Sequence, residues 1–366
     1  MDVTYKYRIK DKSARKHLVK LSRSVNQVWN YCVDHHKYIR NLYTSGAKLV
    51  KWPSCFDLCK LTGGVGKDLG LYEQTIACIN QKFITARNGN KKSIPRYRSS
   101  FGNKRSLGYI PFQKQSRVIK GNIVSYLGKK FHLWGTQKRP IPLNATGGEF
   151  VEDSLGRWFA CFYVEVEPKK LTIDNPVGID LGLKTFATLS DGTKIDAQRI
   201  YRKWEPKLAV AQRAKNKKQV KQIHQKIKNI RNDFLHKLST SLASIYSFIA
   251  VGDVNAKQLA KTKMAKSIYD AGWSIFRNQL KYKATAYLEV DEKFTTQTCS
   301  TCDFKESQSR PRGIAGLGIR SWICSSCNQT HDRDVNAAKN ILKIALNNQR
   351  LVEESLVHRR NGTKRN

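Results

Sequence analysis

Two short cysteine knuckles constrain this 366-residue chain more than any other feature of its sequence. Cys299 and Cys302 form one CxxC pair, and Cys324 and Cys327 form a second pair about twenty residues later. This spacing is typical of a zinc site, because each knuckle directs two thiolates at one tetrahedral ion. Four unrelated reduced cysteines are the weaker alternative. A closed four-sulfur site has no open position, so we expect a structural zinc ribbon and not a catalytic metal.

The charge balance predicts a polyanionic partner. The chain has 67 Lys and Arg residues against 28 Asp and Glu residues, a formal net charge of +39. A protein this basic is expected to neutralise nucleic acid phosphates. No apolar run approaches a membrane span, and Met1 to Lys10 is not a signal peptide, so we expect a cytoplasmic protein with no membrane partner. The other cysteines show no paired pattern, which fits a reducing compartment.

The first 170 residues predict a helical block set inside a strand-rich region. Val3 to Ile9 alternates like a strand, whereas Leu18 to Cys32 carries a helical apolar stripe. A second helix is predicted over about Leu71 to Arg87. Later strands, which would form a small β-barrel or a sandwich of hairpins, are predicted at Asn122 to Tyr126, Lys130 to Trp134 and Trp158 to Val166.

The segment from Ser93 to Val118 interleaves basic and aromatic residues. Guanidinium groups suit phosphates and aromatic faces suit unstacked bases, so the segment predicts binding of single-stranded or looped RNA. The alternative is an ordinary basic loop whose aromatic residues are buried. The candidate nucleic-acid-binding residues are Arg96, Tyr97, Arg98, Lys104, Arg105 and Tyr109.

Downstream, Asp180 lies in the middle of an apolar strand, Val177 to Gly182, which begins a predicted hairpin. A carboxylate there is costly unless it is hydrogen-bonded or binds a metal. A second acidic centre, Asp334, lies at the start of a predicted helix after the second knuckle. Carboxylates can hold two Mg²⁺ or Mn²⁺ ions that activate water and stabilise the leaving oxygen of a phosphodiester.

A helix and two strands are predicted between Asp180 and Asp334, and a tail is predicted after them. A long basic helix covers about Lys207 to Ile245, although its charge run also fits a helix face that is merely solvated. Apolar strands follow at Ser247 to Val254 and Ala284 to Val290. The polar, charged stretch after about Asn347 predicts a loosely held tail.

An ordered set of motifs resembles the RuvC-type nuclease of the TnpB (OrfB-type) family: VGIDLG, VGDVNAKQL, TTQTCSTC, WICSSC and HDRDVNAAKNIL. Members are transposon-encoded, RNA-guided DNA endonucleases related to type V CRISPR effectors. The resemblance implies an α/β chain in which an RNase H-like (RuvC) domain contains an inserted zinc ribbon and follows a β-barrel with an inserted helical domain. The implied domains are a β-barrel at 1–10 and 106–170, a helical domain at 11–105, a RuvC-like nuclease at 171–298 and 328–346, a zinc ribbon at 299–327 and a flexible tail at 347–366.

The resemblance also implies the roles of the acidic residues. Asp180 matches the first catalytic carboxylate and Asp334 the last, with Asp332 only a neighbour. The family's middle glutamate is replaced by Gly252, which leaves three alternatives. Glu292, after a strand expected beside the one ending near Asp253, could enter the same site. Asp253 itself could serve, although it would normally point to the opposite face, or the site could be inactive.

Two functions follow from this resemblance. The first is an RNA-guided endonuclease that uses Mg²⁺ or Mn²⁺, with a guide RNA and double-stranded target DNA as partners, and that cuts beside a short motif read by the protein. The second is a catalytically inactive, RNA-guided DNA-binding repressor. Strand transfer by a transposase is a weaker third possibility. The presence of both Asp180 and Asp334 favours the nuclease, since a binding protein has no need of costly carboxylates.

Overall fold

A computed structural model describes residues 2–11, 13–46, 51–89, 93–102, 104–166, 174–254, 265–305 and 318–362, with side chains as far as 348. The chain divides into two compact units, Met1–Glu167 and Pro168–Asn366. The division falls close to the boundary at 170 that the sequence predicts. None of the helices within the described ranges combines the length and the apolar character needed to cross a membrane.

The first unit contains a helical block, as predicted. Its helices are α1 (Ala14–Thr44), α2 (Cys55–Leu61), α3 (Gly66–Leu69) and α4 (Glu73–Gly89). The predicted apolar stripe of α1 is buried from Leu18 to Cys32, because these residues recur on one helix face. The short helix α2 was not predicted, although Ser54 and Asp57 form a capping box at its start.

The strands of the first unit form two sheets around one apolar core that also includes α1 and α4. The four-stranded sheet has the order β1-β7-β6-β2, and β3, β4 and β5 form a three-stranded sheet. The strands are β1 (Asp2–Arg8), β2 (Tyr109–Gln113), β3 (Val118–Lys120), β4 (Ile123–Tyr126), β5 (Lys129–His132), β6 (Gly147–Glu152) and β7 (Trp158–Glu165).

One strand was not predicted. Gly147 and Gly148 lie in β6, where the sequence predicts no strand. Gly148 is required by close packing, because a Cβ there would lie 2.1 Å from the carbonyl oxygen of Cys161. Phe112, one of the aromatic residues of the basic segment, is buried in the core. It therefore packs inside the protein and is not available to stack on RNA bases.

The second unit is built on a five-stranded sheet of order β10-β9-β8-β11-β12. The strands β8, β11 and β12 run parallel, whereas β9 and β10 are antiparallel to their neighbours. The predicted hairpin and both later strands are confirmed. The strands are β8 (Pro176–Leu181), β9 (Thr185–Leu189), β10 (Lys194–Asp196), β11 (Phe248–Gly252) and β12 (Ala286–Val290).

Helices cover both faces of this sheet. They are α5 (Ile200–Arg213), α6 (Lys217–Ile245), α7 (Ala265–Ala271), α8 (Trp273–Lys283) and α9 (Arg333–Gly362). Successive residues of β11 point to opposite faces of the sheet. Ile249 and Val251 pack with α6 and α8, whereas Phe248 and Ala250 pack with α9. A short hairpin of β13 (Ser321–Ile323) and β14 (Thr330–Asp332) precedes α9.

One prediction about these helices is wrong. The single basic helix over Lys207 to Ile245 is a pair, α5 and α6, because Lys215 adopts a positive φ of 50° and the Asn216 side chain accepts a hydrogen bond from the Gln219 backbone N–H. The backbone of α9 continues to Gly362, into the stretch predicted to be a loosely held tail.

Candidate active site and metal centre

Asp180 lies on the face of β8 that α9 covers. The residues of β8 that pack on the opposite face, with α6 and α8, are Val177, Ile179 and Leu181. Because strand residues alternate, Gly178 and Asp180 share the other face. A Cβ at Gly178 would lie 2.1 Å from the carbonyl oxygen of Ala338 in α9. Gly178 therefore lets α9 rest directly against β8, two residues before Asp180.

Asp334 lies in the first turn of α9, four residues before Ala338. Residues four apart share a helix face, so the contact of Ala338 with Gly178 directs Asp334 towards Asp180. Burial raises the pKa of Asp180 well above its ordinary value, and the negative charges of Glu292 and Asp334 raise it further. Asp180 in β8 therefore lies within electrostatic range of two other carboxylates, Asp334 in α9 and Glu292.

Basic residues surround Asp334. Arg320 Nη1 lies 3.0 Å from one of its carboxylate oxygens, and Arg333 Nε lies 3.1 Å from the other. Asp332 is engaged differently: it accepts hydrogen bonds from the first backbone N–H groups of α9 and pairs with Lys194 Nζ at 2.6 Å. No sequence motif pointed to Arg320, since its role depends on a contact fourteen residues away.

Glu292 follows β12 by two residues. Because β12 pairs in parallel with β11, Val290 lies opposite Gly252. A Cβ on Gly252 would lie 2.9 Å from Oε2 of Glu292 and 3.1 Å from Cδ1 of Ile341 in α9. The absent side chain at position 252 thus leaves the space that the Glu292 carboxylate uses. Burial raises the pKa of Glu292, and neighbouring aspartates raise it further.

Asp253 is directed elsewhere. Its carboxylate is exposed and lies 2.6 Å from Nη1 of Arg277 in α8, which also lies 3.3 Å from Glu289. Its backbone N–H donates to the carbonyl of Val290. Asp253 is close enough for its charge to raise the pKa of Glu292, but its own partner belongs to α8. Asp180 is therefore under the electrostatic influence of Glu292 and Asp334, whereas Asp253 forms an ion pair with Arg277.

The raised pKa values predict how stability depends on pH. In the folded chain Asp180 and Glu292 hold their protons more tightly than at their ordinary pKa values of 3.8 and 4.5. The resulting stabilisation is complete below those values and is lost as pH rises through the raised pKa values. Without added Mg²⁺, the melting temperature should fall with rising pH, by roughly 2–4 °C for each kcal/mol lost. Calorimetry of Asp180→Asn should show a flatter profile; an equally steep one would contradict this.

The four knuckle cysteines form one cluster, in which every Sγ lies within 4.8 Å of the others. Cys299 Sγ lies 3.6 Å from Cys327 Sγ, and Cys302 Sγ lies 3.7 Å from Cys324 Sγ. A tetrahedral zinc ion with bonds of about 2.3 Å requires sulfur separations of about 3.8 Å, so the cluster could hold zinc. His331, which sequence reasoning missed, places Nε2 3.0 Å from Cys299 Sγ.

Cys299→Ser should remove the bound metal. A neutral hydroxyl is a much poorer ligand than a thiolate, so we expect the zinc content of the purified chain to fall close to zero and the ribbon to lose its order. Cys55→Ser, a thiol outside the cluster, is the matched control and should retain the metal. Metal analysis by mass spectrometry checks both variants. Unchanged zinc in Cys299→Ser would refute the assignment.

The predicted nucleic-acid-binding residues fall into two groups. Arg96, Tyr97 and Lys104 are exposed, and of these Tyr97 also donates its hydroxyl to Asp34 and packs its ring 4.2 Å from Lys37 Nζ. The others make internal contacts: Arg98 donates to Asn26 Oδ1 and the Leu107 carbonyl, each at 2.7 Å, Arg105 pairs with buried Glu152 at 2.8 Å, and half-buried Tyr109 lies 4.1 Å beneath Lys82. Arg98, Arg105 and Tyr109 therefore stabilise the first unit. Arg96, Tyr97 and Lys104 remain predicted to contact RNA.

Comparison with known proteins identifies relatives. A family model described as "Cas12f1-like, TNB domain" matches residues 273–341, and one described as "Probable transposase" matches residues 159–263. A Streptomyces pristinaespiralis protein named "Putative RNA-guided DNA endonuclease" is 36% identical over 278 residues, which are 70% of this chain and 66% of that protein. The similarly named InsQ of Escherichia coli K12 is 30% identical over 228 residues, which are 52% of this chain and 55% of InsQ.

A solved structure shares the fold. The cryo-EM structure of a Cas12f1-sgRNA-target DNA complex matches with a TM-score of 0.57 and 14% identity, covering 90% of this chain and 83% of that one. The aligned regions of the two curated relatives span 66% and 55% of their lengths. Together with the ordered motifs, these matches show that the chain belongs to the TnpB (OrfB-type) family, which is related to Cas12f1.

Proposed function

We propose that this protein is an RNA-guided, metal-dependent DNA endonuclease that cuts target DNA beside a short motif read by the protein. The observation that carries the proposal is that Asp180, on the sheet face that α9 covers, lies within electrostatic range of both Glu292 and Asp334, and that the Glu292 carboxylate occupies the space beside Gly252. Burial and the charges of Glu292 and Asp334 raise the pKa of Asp180, so its ionised form is costly and suits a site that a divalent cation neutralises. The names of the relatives support the same activity.

The donor set fits Mg²⁺ or Mn²⁺, since these ions prefer carboxylate oxygens whereas the cysteines prefer zinc. Bound there, the ions supply an activated water and stabilisation of the leaving oxygen. The chain's contribution is placement. Asp180 is fixed by its strand, Asp334 lies at a helix N-terminus that favours negative charge, and Glu292 enters from the adjacent strand end.

A guide RNA would read the target by base pairing, while the protein holds the nucleic acids by charge. Besides exposed Arg96, Tyr97 and Lys104, the second unit offers a basic helix, α6, of which Lys217, Lys218, Lys221 and Lys228 are exposed. None of the nine cysteines, all of which lie in the described residues, forms a disulfide, which supports a place in the cytoplasm.

Affinity for nucleic acid should depend strongly on salt. If several Lys and Arg residues contact phosphates, raising salt from about 50 to 200 mM should weaken RNA binding by about 10³-fold or more, because counterions are released on binding. Filter binding at several salt concentrations measures the slope. Arg96→Gln should reduce the slope by about one. A flat salt dependence would contradict the proposed binding mode.

The test of function is Mg²⁺-dependent cleavage by protein purified with its own RNA. Double-stranded DNA that matches the RNA should be cut, and a mismatched duplex of the same length should remain intact. Tight, RNA-dependent binding of the matched duplex without cleavage would instead identify an RNA-guided repressor. The glycine at position 252, where the family has glutamate, is the observation that favours this alternative.

A further inference from the structure

Two buried asparagines of α9 clamp one loop. Asn336 is fully buried and Asn340 is 4% exposed. Asn336 Nδ2 donates to the carbonyl oxygens of Thr295 and Thr298 at 3.0 and 2.8 Å, and Asn340 Nδ2 donates to the same two oxygens at 2.8 and 2.7 Å. Residues four apart share a helix face, so the two amides act on the loop together.

The clamped loop joins two sites that have different chemistry. At one end, Thr295 donates through its backbone N–H and its hydroxyl to the carbonyl oxygen of Glu292, at 3.1 and 2.8 Å. At the other end, Thr298 directly precedes Cys299. The Ser300 backbone N–H, within the first knuckle, donates to Asn336 Oδ1 at 2.9 Å. Continuous hydrogen bonds therefore run from Glu292 to the metal-binding knuckle.

The helix that provides both amides also carries Asp334, two residues before Asn336. A second connection reinforces the first, because His331, just before α9, places Nε2 3.0 Å from Cys299 Sγ. The first knuckle, the Glu292 loop and Asp334 are thus all fixed to the first two turns of one helix. Buried hydrogen-bonded networks of this kind hold a single geometry, since an unpaired member is costly.

We infer that Asn336 and Asn340 are positioning residues that couple the cysteine metal centre to the carboxylate site. The inference rests on one part of the proposed function, which is that Asp180, Glu292 and Asp334 bind a divalent cation. If both sites are fixed to the same clamp, filling one stabilises the arrangement that the other needs. Such coupling is reciprocal, so a cation at the carboxylates should slow the loss of zinc from the cysteines.

The experiment uses the full chain loaded with zinc and measures exchange against isotope-labelled zinc by mass spectrometry, with and without Mn²⁺. Electron paramagnetic resonance measures Mn²⁺ binding in the same samples. In the wild type, Mn²⁺ should slow zinc exchange by about fivefold or more. In Asn340→Ala, exchange should be about tenfold faster, as is typical when a partner of a ligand shell is removed, and the Mn²⁺ effect should disappear.

Asn347→Ala is the matched control, because it makes the same change at an exposed position of the same helix, and it should behave as the wild type. Asp334→Asn should keep its zinc but lose the response to Mn²⁺. If Asn340→Ala does not fold, the effect of Mn²⁺ on zinc exchange in the wild type, compared with that in Asp334→Asn, decides whether the two sites are coupled.

Two outcomes would overturn the inference in distinguishable ways. Mn²⁺ binding to the wild type with no change in zinc exchange would show that the two sites are independent, and the proposed function would stand. Failure of the wild type to bind Mn²⁺ would remove the proposed nuclease site together with the coupling. An Asn340→Ala protein that retains the full Mn²⁺ effect would show that the clamp is not the connection.

Discussion

Asp180→Ala and Asp334→Ala should each abolish cleavage of a matched DNA duplex, lowering the rate by about 10³-fold or more. Asp180 lies on the sheet face covered by α9, and its pKa is raised by burial and then by the charges of Glu292 and Asp334. Under the proposed function, removing either aspartate takes away a ligand of the divalent cation. Binding of RNA should remain unchanged, since neither carboxylate attracts phosphate. Cleavage assays and RNA filter binding on the same preparations test both statements.

Asp332→Ser is the matched control for this pair. Asp332 is also acidic and lies two residues from Asp334, but it caps α9 and pairs with Lys194. Serine can still accept the capping hydrogen bonds, so cleavage should stay within about tenfold of the wild type. Loss of RNA binding in the alanine variants would show a folding defect and sink the catalytic assignment. A loss of cleavage in Asp332→Ser as deep as in Asp334→Ala would do the same.

The features that could be predicted from the sequence depend on local spacing. The cysteine cluster follows from two CxxC pairs, because each knuckle preforms half of a tetrahedral site. The burial of β8 and β11 follows from their apolar runs, and an aspartate interrupting such a run singles out Asp180. The start of α9 after the second knuckle could also be predicted, since Asp332 is a good capping residue.

Other features depend on partners that are distant in sequence. The apolar stripe that predicts the long basic helix lies within α6, so it gives no sign of the left-handed backbone of Lys215 that separates α5 from α6. Arg105, a residue of the basic segment, forms an ion pair with Glu152, 47 positions away in the sequence. This contact gives Arg105 a role in stabilising the fold, which its own sequence context does not indicate. The clamp of Asn336 likewise depends on carbonyl groups about forty residues away, and nothing in its own sequence context indicates them.

The position of the third candidate carboxylate, Glu292, could be predicted only in part from the sequence. Parallel pairing of β11 with β12 could be expected from the fold that the motifs imply, and this pairing pointed to Glu292. The register could not be predicted, because it depends on how two distant strands align. Only the structure shows that Gly252 lies opposite Val290 and that the missing side chain leaves space for the Glu292 carboxylate.

Glu292→Ala should therefore reduce cleavage as deeply as the aspartate variants, by about 10³-fold, with RNA binding retained. Asp253→Ala is its control: that carboxylate pairs with Arg277 of α8, so its removal should leave most of the activity. The same cleavage assay measures both. The opposite result, full activity in Glu292→Ala and none in Asp253→Ala, would transfer the third role to Asp253.

An exchange of positions tests the geometry more sharply than a deletion. Gly252→Glu alone should reduce cleavage, because a Cβ there lies 2.9 Å from Oε2 of Glu292, so the Glu292 carboxylate must shift, and the added carboxylate increases the negative charge. Combining Gly252→Glu with Glu292→Gly removes the crowding and returns a carboxylate to the same space from the adjacent strand. The double variant should cut at least about tenfold faster than Glu292→Gly alone. If it is no faster, the carboxylate of Glu292 does not act through the space beside position 252.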